Sequence, residues 1–200
     1  MTNVFFNSGF VNSHNSRHWG IENPHDTIDK VNSKAKLMVW AAITSRGVIG
    51  PFFLEGRVNA EKYKAMIKDE YLPELRRKRF TLRDVVFQQD GATVHCTDDV
   101  LKFVKKKFGR VISRRNEDFV WPSYSPDLNA CDFFLWGHLK TKVYADPAPK
   151  TLEELKNKIK AEVVELNKDK EIFARVYENF LTRLQYVLSS KGGYIEHILS

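Results

Sequence analysis

The hydrophobic pattern of this 200-residue chain changes character once, and that change restricts the fold more than any single residue does. Up to about residue 113, short apolar runs of strand length alternate with stretches of helical period; beyond residue 125 only helical patterns remain. Alternating strands and helices specify a layered α/β structure, and a closing run of helices adds a helical extension. Lys36–Thr44 (KLMVWAAIT) and Val48–Leu54 (VIGPFFL), separated by Ser45-Arg46-Gly47, read as a β-hairpin. Asn59 is placed to cap a helix running towards Lys78, with a kink expected at Pro73. Asp84–Gln89 reads as a short buried strand ending at Asp90-Gly91, Thr97–Phe108 as a basic amphipathic helix, and Val111–Ser113 as another short strand.

In the helical part, Ser125 and Pro126 are expected to open a helix, proline's missing N–H being harmless at the first position. Thr151 and Glu154 have the spacing of a capping box. Ile172–Leu188 is a last helix, ended by Gly192-Gly193, whose stripe from Phe173 to Val187 is expected to pack on the rest of the fold. The same stripe leaves homodimerisation as a second use.

Aromatic residues make up 12% of the chain, enough for a core and against intrinsic disorder. No apolar run approaches the roughly 18–20 residues that span a bilayer, so no membrane partner is expected. Two cysteines, Cys96 and Cys131, cannot build a disulfide framework and are expected to be small buried residues of a protein in a reducing compartment. The net charge of +7 is concentrated: Arg76–Arg115 holds twelve basic residues against four acidic ones. Arg76, Arg77, Lys78, Arg79, Lys105, Lys106, Lys107, Arg114 and Arg115 are the candidate phosphate contacts within it. The same residues also suit two solvated helix faces.

Two carboxylates stand out. Asp90 follows a buried strand, where open α/β sheets gather ligands outside the strand ends, although Asp-Gly is also a common turn pair. Asp132 lies among Cys131, Phe133 and Phe134, where a carboxylate is either paired or carried on an exposed face.

Phe87-Gln88-Gln89-Asp90-Gly91-Ala92-Thr93-Val94-His95 and Trp121-Pro122-Ser123-Tyr124-Ser125-Pro126-Asp127-Leu128-Asn129, continuing to Asp132, resemble the two catalytic blocks of Tc1/mariner transposases. Asn15–Gly20 and Met38–Ile43 resemble the same family in the same order. The resemblance implies an RNase H-like fold, a mixed sheet flanked by helices, with a core over residues 1–146 and a helical C-terminal extension over 147–200. It implies a DDE/D triad binding two Mg²⁺ or Mn²⁺ ions, metal-dependent cleavage and joining of DNA, transposon ends and target DNA as partners, and a nuclear location. Hard oxygen ligands suit such ions, which together activate the attacking oxygen and stabilise the leaving one.

By this resemblance Asp90 is the second triad member, Asp132 the third, and His95 a neighbour of the site. Forty-one residues separate the two carboxylates, as in a mariner-like branch with a longer insert, and Ala130 stands where a proline is usual. The first triad Asp would fall at or just before Met1, and no Asp precedes Asp26. The expectation is therefore a catalytic domain whose first strand is missing, impaired in catalysis and marginally stable alone. The competing reading is a non-catalytic DNA-binding or oligomerisation remnant.

Overall fold

The computed structural model describes residues 2–6, 36–122, 125–193 and 195; Asn15–Gly20, Asp26, Asp29, Ser123 and Tyr124 lie outside the described residues. Strand β1 (Thr2–Phe6), β2 (Lys36–Thr44) and β3 (Gly47–Leu54) form an antiparallel sheet in the order β1-β2-β3. Helices α1 (Ala60–Met66) and α2 (Leu72–Arg77) follow, joined by one π-helical turn at Ile67–Tyr71. Strand β4 (Val86–Gln88), helix α3 (Asp98–Lys107) and strand β5 (Arg110–Ile112) come next, β4 and β5 pairing in parallel as a second sheet. Helices α4 (Trp136–Val143), α5 (Leu152–Leu166) and α6 (Lys170–Ser189) complete the chain.

Alternation along β2 builds the layers. Leu37, Val39 and Ala41 point into a core with α4 and α5, whereas Trp40 points into a second core with α1, α2, α3, β4 and β5. The hairpin sheet is thereby covered by helices on both faces. Phe5 is completely buried and packs against Trp136 and Tyr144, with ring centroids 6.3 Å away in each case. One expectation is corrected here: the described residues include an opening strand, Thr2–Phe6, which pairs with Trp40–Lys36.

Local chemistry sets the helix ends. Asn59 accepts from the Lys62 N–H at 2.9 Å, and Thr151 accepts from the Glu154 N–H at 3.1 Å, as their spacing predicts. The distortion expected at Pro73 falls one turn earlier, as the π-helical turn, because proline cannot donate to the helix behind it. The expected helix start at Pro126 is also revised. Pro126–Leu128 forms one 3₁₀ turn, and the helix proper begins after Asn129. The Asn129 carbonyl accepts from the Asp132 and Phe133 N–H groups, and its side chain accepts from the Cys131 N–H at 3.1 Å. The tail stripe packs along its length, most closely at its start: Phe173 and Val176 are buried, and Phe180, Leu184 and Val187 are half-buried.

The β2–β3 turn is locked from a distance. Asn167, between α5 and α6, accepts from the Val48 N–H at 2.7 Å and donates to the Val48 carbonyl at 3.1 Å. Gly47, at φ +111°, leaves the room this approach needs, since a Cβ there would overlap Asn167 Oδ1. Replacing Asn167 with Ala leaves both Val48 groups without these partners in a partly buried site. An expected loss of about 1–3 kcal/mol follows, read from urea unfolding; an unchanged midpoint would show that water replaces the side chain without cost.

Candidate catalytic site

Asp90 is placed by the parallel β4–β5 pair. The Gln89 N–H donates to the Ile112 carbonyl at 3.0 Å, so the ladder runs one residue past β4 and stops at Asp90. Its Oδ1 accepts from the Ala92 N–H at 3.1 Å and meets His95 Nδ1 at 2.5 Å. An ionised carboxylate only accepts, so the proton between them sits on Nδ1. Among the described residues no hydrogen bond falls on Oδ2.

His95 is itself held. Only 1% exposed, its ring stacks on Tyr63 at 4.1 Å. Gln89 donates to the His95 carbonyl at 2.8 Å and to Ser113 Oγ at 3.0 Å, and accepts from the Tyr63 hydroxyl at 3.0 Å. This buried network is mutually satisfied and fixes the imidazole against Asp90. Burial, followed by the nearby Asp90 charge, pushes the Tyr63 hydroxyl well above the usual tyrosine range, so it remains a donor.

Asp132 lies in the first, π-helical turn before α4, at Cys131–Leu135. It is exposed, on the outer side of that turn, while Cys131 and Leu135 are buried. Its Oδ2 accepts from Asn129 Nδ2, and Asn129 is only 3% exposed. Gln88, the last residue of β4, donates to the Leu128 carbonyl at 3.1 Å and ties the Asp90 strand to the Asp132 turn. From the other side, the Arg183 guanidinium of α6 lies 3.7 Å from Asp127 and 4.3 Å from the centre of the Phe133 ring.

The two carboxylates sense one another. Burial raises the Asp90 carboxyl, but the hydrogen bond and charge of His95 and the Ala92 N–H outweigh it, leaving Asp90 below its ordinary range. Asp132 is pushed up, first by desolvation of its carboxyl and then by the Asp90 charge, which the Asn129 bond and Lys140 only partly offset. Such opposed shifts mark a carboxylate pair waiting for positive charge.

A stability signature follows for the metal-free chain. Asp132, raised in the folded state, costs stability while ionised, and the cost is relieved as pH falls through its folded titration. Asp90, depressed, contributes stability above its unfolded pKa and loses it as pH falls through its lower folded value. On mild acidification from neutral, stability is expected to rise with Asp132 before it falls with Asp90. Urea unfolding of the Asp132→Asn variant should lack the rise; a rise of equal size in that variant would assign it elsewhere.

The basic residues divide. Arg114 packs its side chain against Gly91, next to Asp90, and Arg115 donates to the Cys96 carbonyl at 3.3 Å while lying 3.5 Å from Asp98. On α3, Val100, Leu101 and Val104 are buried and Lys105 and Lys106 are exposed on the other face; Lys107 is half-buried, and Lys105 stands 4.0 Å from Asp118. Arg76, Arg77 and Arg79 are exposed at the end of α2, with Lys78 half-buried, as a separate group beside Arg46, which donates to the Lys78 and Arg79 carbonyls. Of these residues Arg114 is the one packed against the segment that carries Asp90.

Both cysteines are buried. Burial pushes the Cys131 thiol up to about 11, which suits packing and not metal binding. Among the described residues no group of three His, Cys, Asp or Glu is placed to hold a metal ion.

Tyr63, Lys140 and Arg183 are site residues that the sequence reading passed over; Gln88, Gln89 and Asn129 stand inside the two quoted blocks but were given no role there. Asn129 alone carried a local cue, an Asn just ahead of an apolar helical stretch.

Residues 9–156 match a family described as DDE superfamily endonuclease. The chain is similar to the Transposable element Tc3 transposase of Caenorhabditis elegans, 32% identical over 109 residues, or 54% of this chain and 30% of that protein. Among solved structures it resembles the Mos1 transposase paired-end complex with left transposon end, with 24% identity, 98% of this chain and 55% of that chain covered, and a TM-score of 0.75. It also resembles the Mos1 transposase catalytic domain solved with Raltegravir and Mg or Mn, with 22% identity, 80% and 78% covered, and a TM-score of 0.65 in each case. The chain thus spans less than a third of the curated relative and about half of the longer Mos1 chain.

Proposed function

Because this chain belongs to the DDE superfamily endonucleases, with the RNase H-like fold of a Tc1/mariner transposase catalytic domain, we propose that it acts on DNA through a divalent cation held by Asp90 and Asp132. The observation that carries this reading is that two carboxylates are each fixed by a buried neighbour, His95 for Asp90 and Asn129 for Asp132, while Gln88 ties their elements together. The donor set is oxygen-only and anionic, which fits Mg²⁺ or Mn²⁺. A bound ion of this kind supplies an activated water and neutralises charge on a phosphodiester.

The protein's own part is positional. His95 keeps Asp90 ionised and oriented, Asn129 holds Asp132, and Gln88 fixes the distance between their elements. Arg114 and Arg115 contact phosphates beside the carboxylates, while Lys105, Lys106, Lys107 and the Arg76–Arg79 group extend the track for transposon-end or target DNA, in the nucleus. Residues 1–146 form the catalytic core and 147–200 its helical extension.

Supercoiled plasmid with Mn²⁺ tests the reading. Weak nicking that disappears on chelation, and plasmid binding that weakens steeply with salt, are the expected results. Nicking that persists without metal, or plasmid binding indifferent to salt, would overturn it.

A further inference from the structure

Arg183 is out of place for an arginine. On α6 its neighbours Leu181, Thr182 and Gln185 are exposed, yet its own side chain is only 14% exposed. Arginine is rarely covered this far unless its guanidinium is engaged. Three groups engage it. Nε donates to Asn179 Oδ1, one turn earlier, at 2.6 Å, which fixes the plane of the fork. Nη1 donates to the Asp127 carbonyl at 3.5 Å and lies 3.7 Å from Asp127 Oδ1. The guanidinium also stands 4.3 Å from the centre of the Phe133 ring, a cation over an aromatic face.

These contacts bracket Asp132. Asp127 belongs to the 3₁₀ turn that precedes it, and Phe133 is the next residue in the π-helical turn. The Leu128 carbonyl, beside the one that Arg183 reaches, accepts from Gln88 of β4, so the 3₁₀ turn is held from two sides. Asn129 follows directly: its carbonyl accepts from the Asp132 N–H at 2.8 Å, and its amide donates to the Asp132 carboxylate. Asp132 itself is exposed, so its position is inherited from this turn. We infer that Arg183 is a positioning residue for Asp132: by clamping the 126–133 segment from α6, it sets where that carboxylate stands relative to Asp90. The inference rests on the reading of the two carboxylates as cation ligands and deepens it, since it makes the helical extension a working part of the site. A lysine is a poor substitute, because one ammonium has no planar fork to serve Asn179, Asp127 and Phe133 together.

Hydrogen exchange of the metal-free full chain reads the clamp directly. In Arg183→Gln the Asp132 and Phe133 amides, both bonded to the Asn129 carbonyl, should exchange at least about tenfold faster relative to the buried Ile159 and Val163 of α5, which report global opening. Asp169→Ala is the control. It removes the cap of α6, a carboxylate that accepts from the Ile172 N–H at 3.1 Å, and so loosens the same helix without touching the turn. On the same scale its Asp132 and Phe133 amides should stay within about twofold of the wild type. Titration with Mn²⁺ adds a sign. Deleting a nearby cation would by itself tighten binding of a divalent ion. Loss of positioning weakens it instead, by about tenfold in Arg183→Gln, with Arg183→Lys recovering only part. Unchanged relative exchange in Arg183→Gln, equal acceleration in Asp169→Ala, or tighter Mn²⁺ binding in Arg183→Gln would each overturn the inference. A wild-type chain that binds no Mn²⁺ overturns the metal reading, and the exchange result, which needs no metal, still decides the role of Arg183.

Discussion

Asp90→Asn is expected to remove Mn²⁺ binding from this chain while leaving its fold intact. The substitution keeps a side-chain oxygen where Oδ1 stands, so the Ala92 N–H and His95 Nδ1 retain an acceptor and the turn after β4 survives. What disappears is the charge. A hard divalent ion depends on anionic oxygen, and replacing one of two carboxylates with an amide should lower affinity by at least about 100-fold, beyond the 10–100-fold typical of changes one shell further out. Unfolding free energy should change by less than about 1 kcal/mol, because the lost charge-assisted bond is replaced by a neutral one. Calorimetric or paramagnetic titration with Mn²⁺ measures the first quantity and thermal unfolding the second. Binding at wild-type strength in Asp90→Asn would place the metal elsewhere. Asp90→Ala is the harsher change, since it also leaves the buried His95 ring without its acceptor, so its loss of function would not be separable from a loss of structure.

The second large effect is mechanical. Gly109 links the end of α3 to β5, and a Cβ built there would collide with the Arg83 carbonyl oxygen, which belongs to main chain and cannot swing aside. Relief requires moving either the 82–84 turn or β5. Both are tied to Asp90, the turn leading into β4 and β5 pairing with it. Phe108, next to Gly109, is stacked on Phe87 of β4 at 4.6 Å, which leaves little room to yield. Gly109→Ala should therefore cost about 3 kcal/mol or more, a fall of roughly 6–12 °C in melting temperature for a chain of this size. Gly137→Ala is the internal control. That glycine lies in α4 with nothing within 4 Å of an added Cβ, so alanine should stabilise by about 0.5–1 kcal/mol. A Gly109→Ala protein melting with the wild type would show that β5 has freedom the packing denies.

The site was half legible. Asp90 could be read because its position depends on two local facts, a short apolar strand and the glycine that ends it. Asp132 could be read as a residue but not as a setting: its exposure depends on a π-helical turn, and no residue period announces one. His95 could be read only as a neighbour of the site; its clamp needs Tyr63, which α1 brings up from 32 residues away to stack on it and to donate to Gln89. The basic run was legible as a run, but its division into Arg114, packed against Gly91, and a separate group at the end of α2 follows from where α2 and β5 end in space.

The sequence by itself determined the order of elements, the hairpin, the caps at Asn59 and Thr151, and the two carboxylates, because each rests on contacts within about one turn or one strand. Only the tertiary structure decided that Phe5 anchors β1, that Asn129 and not Ser125 starts the helix carrying Asp132, and that the α6 stripe is fully buried only at Phe173 and Val176. Each of these depends on which surface arrives opposite another. Side-chain period records that a face is apolar but not what covers it, and here the covering groups lie up to 119 residues away, as with Asn167 and Val48.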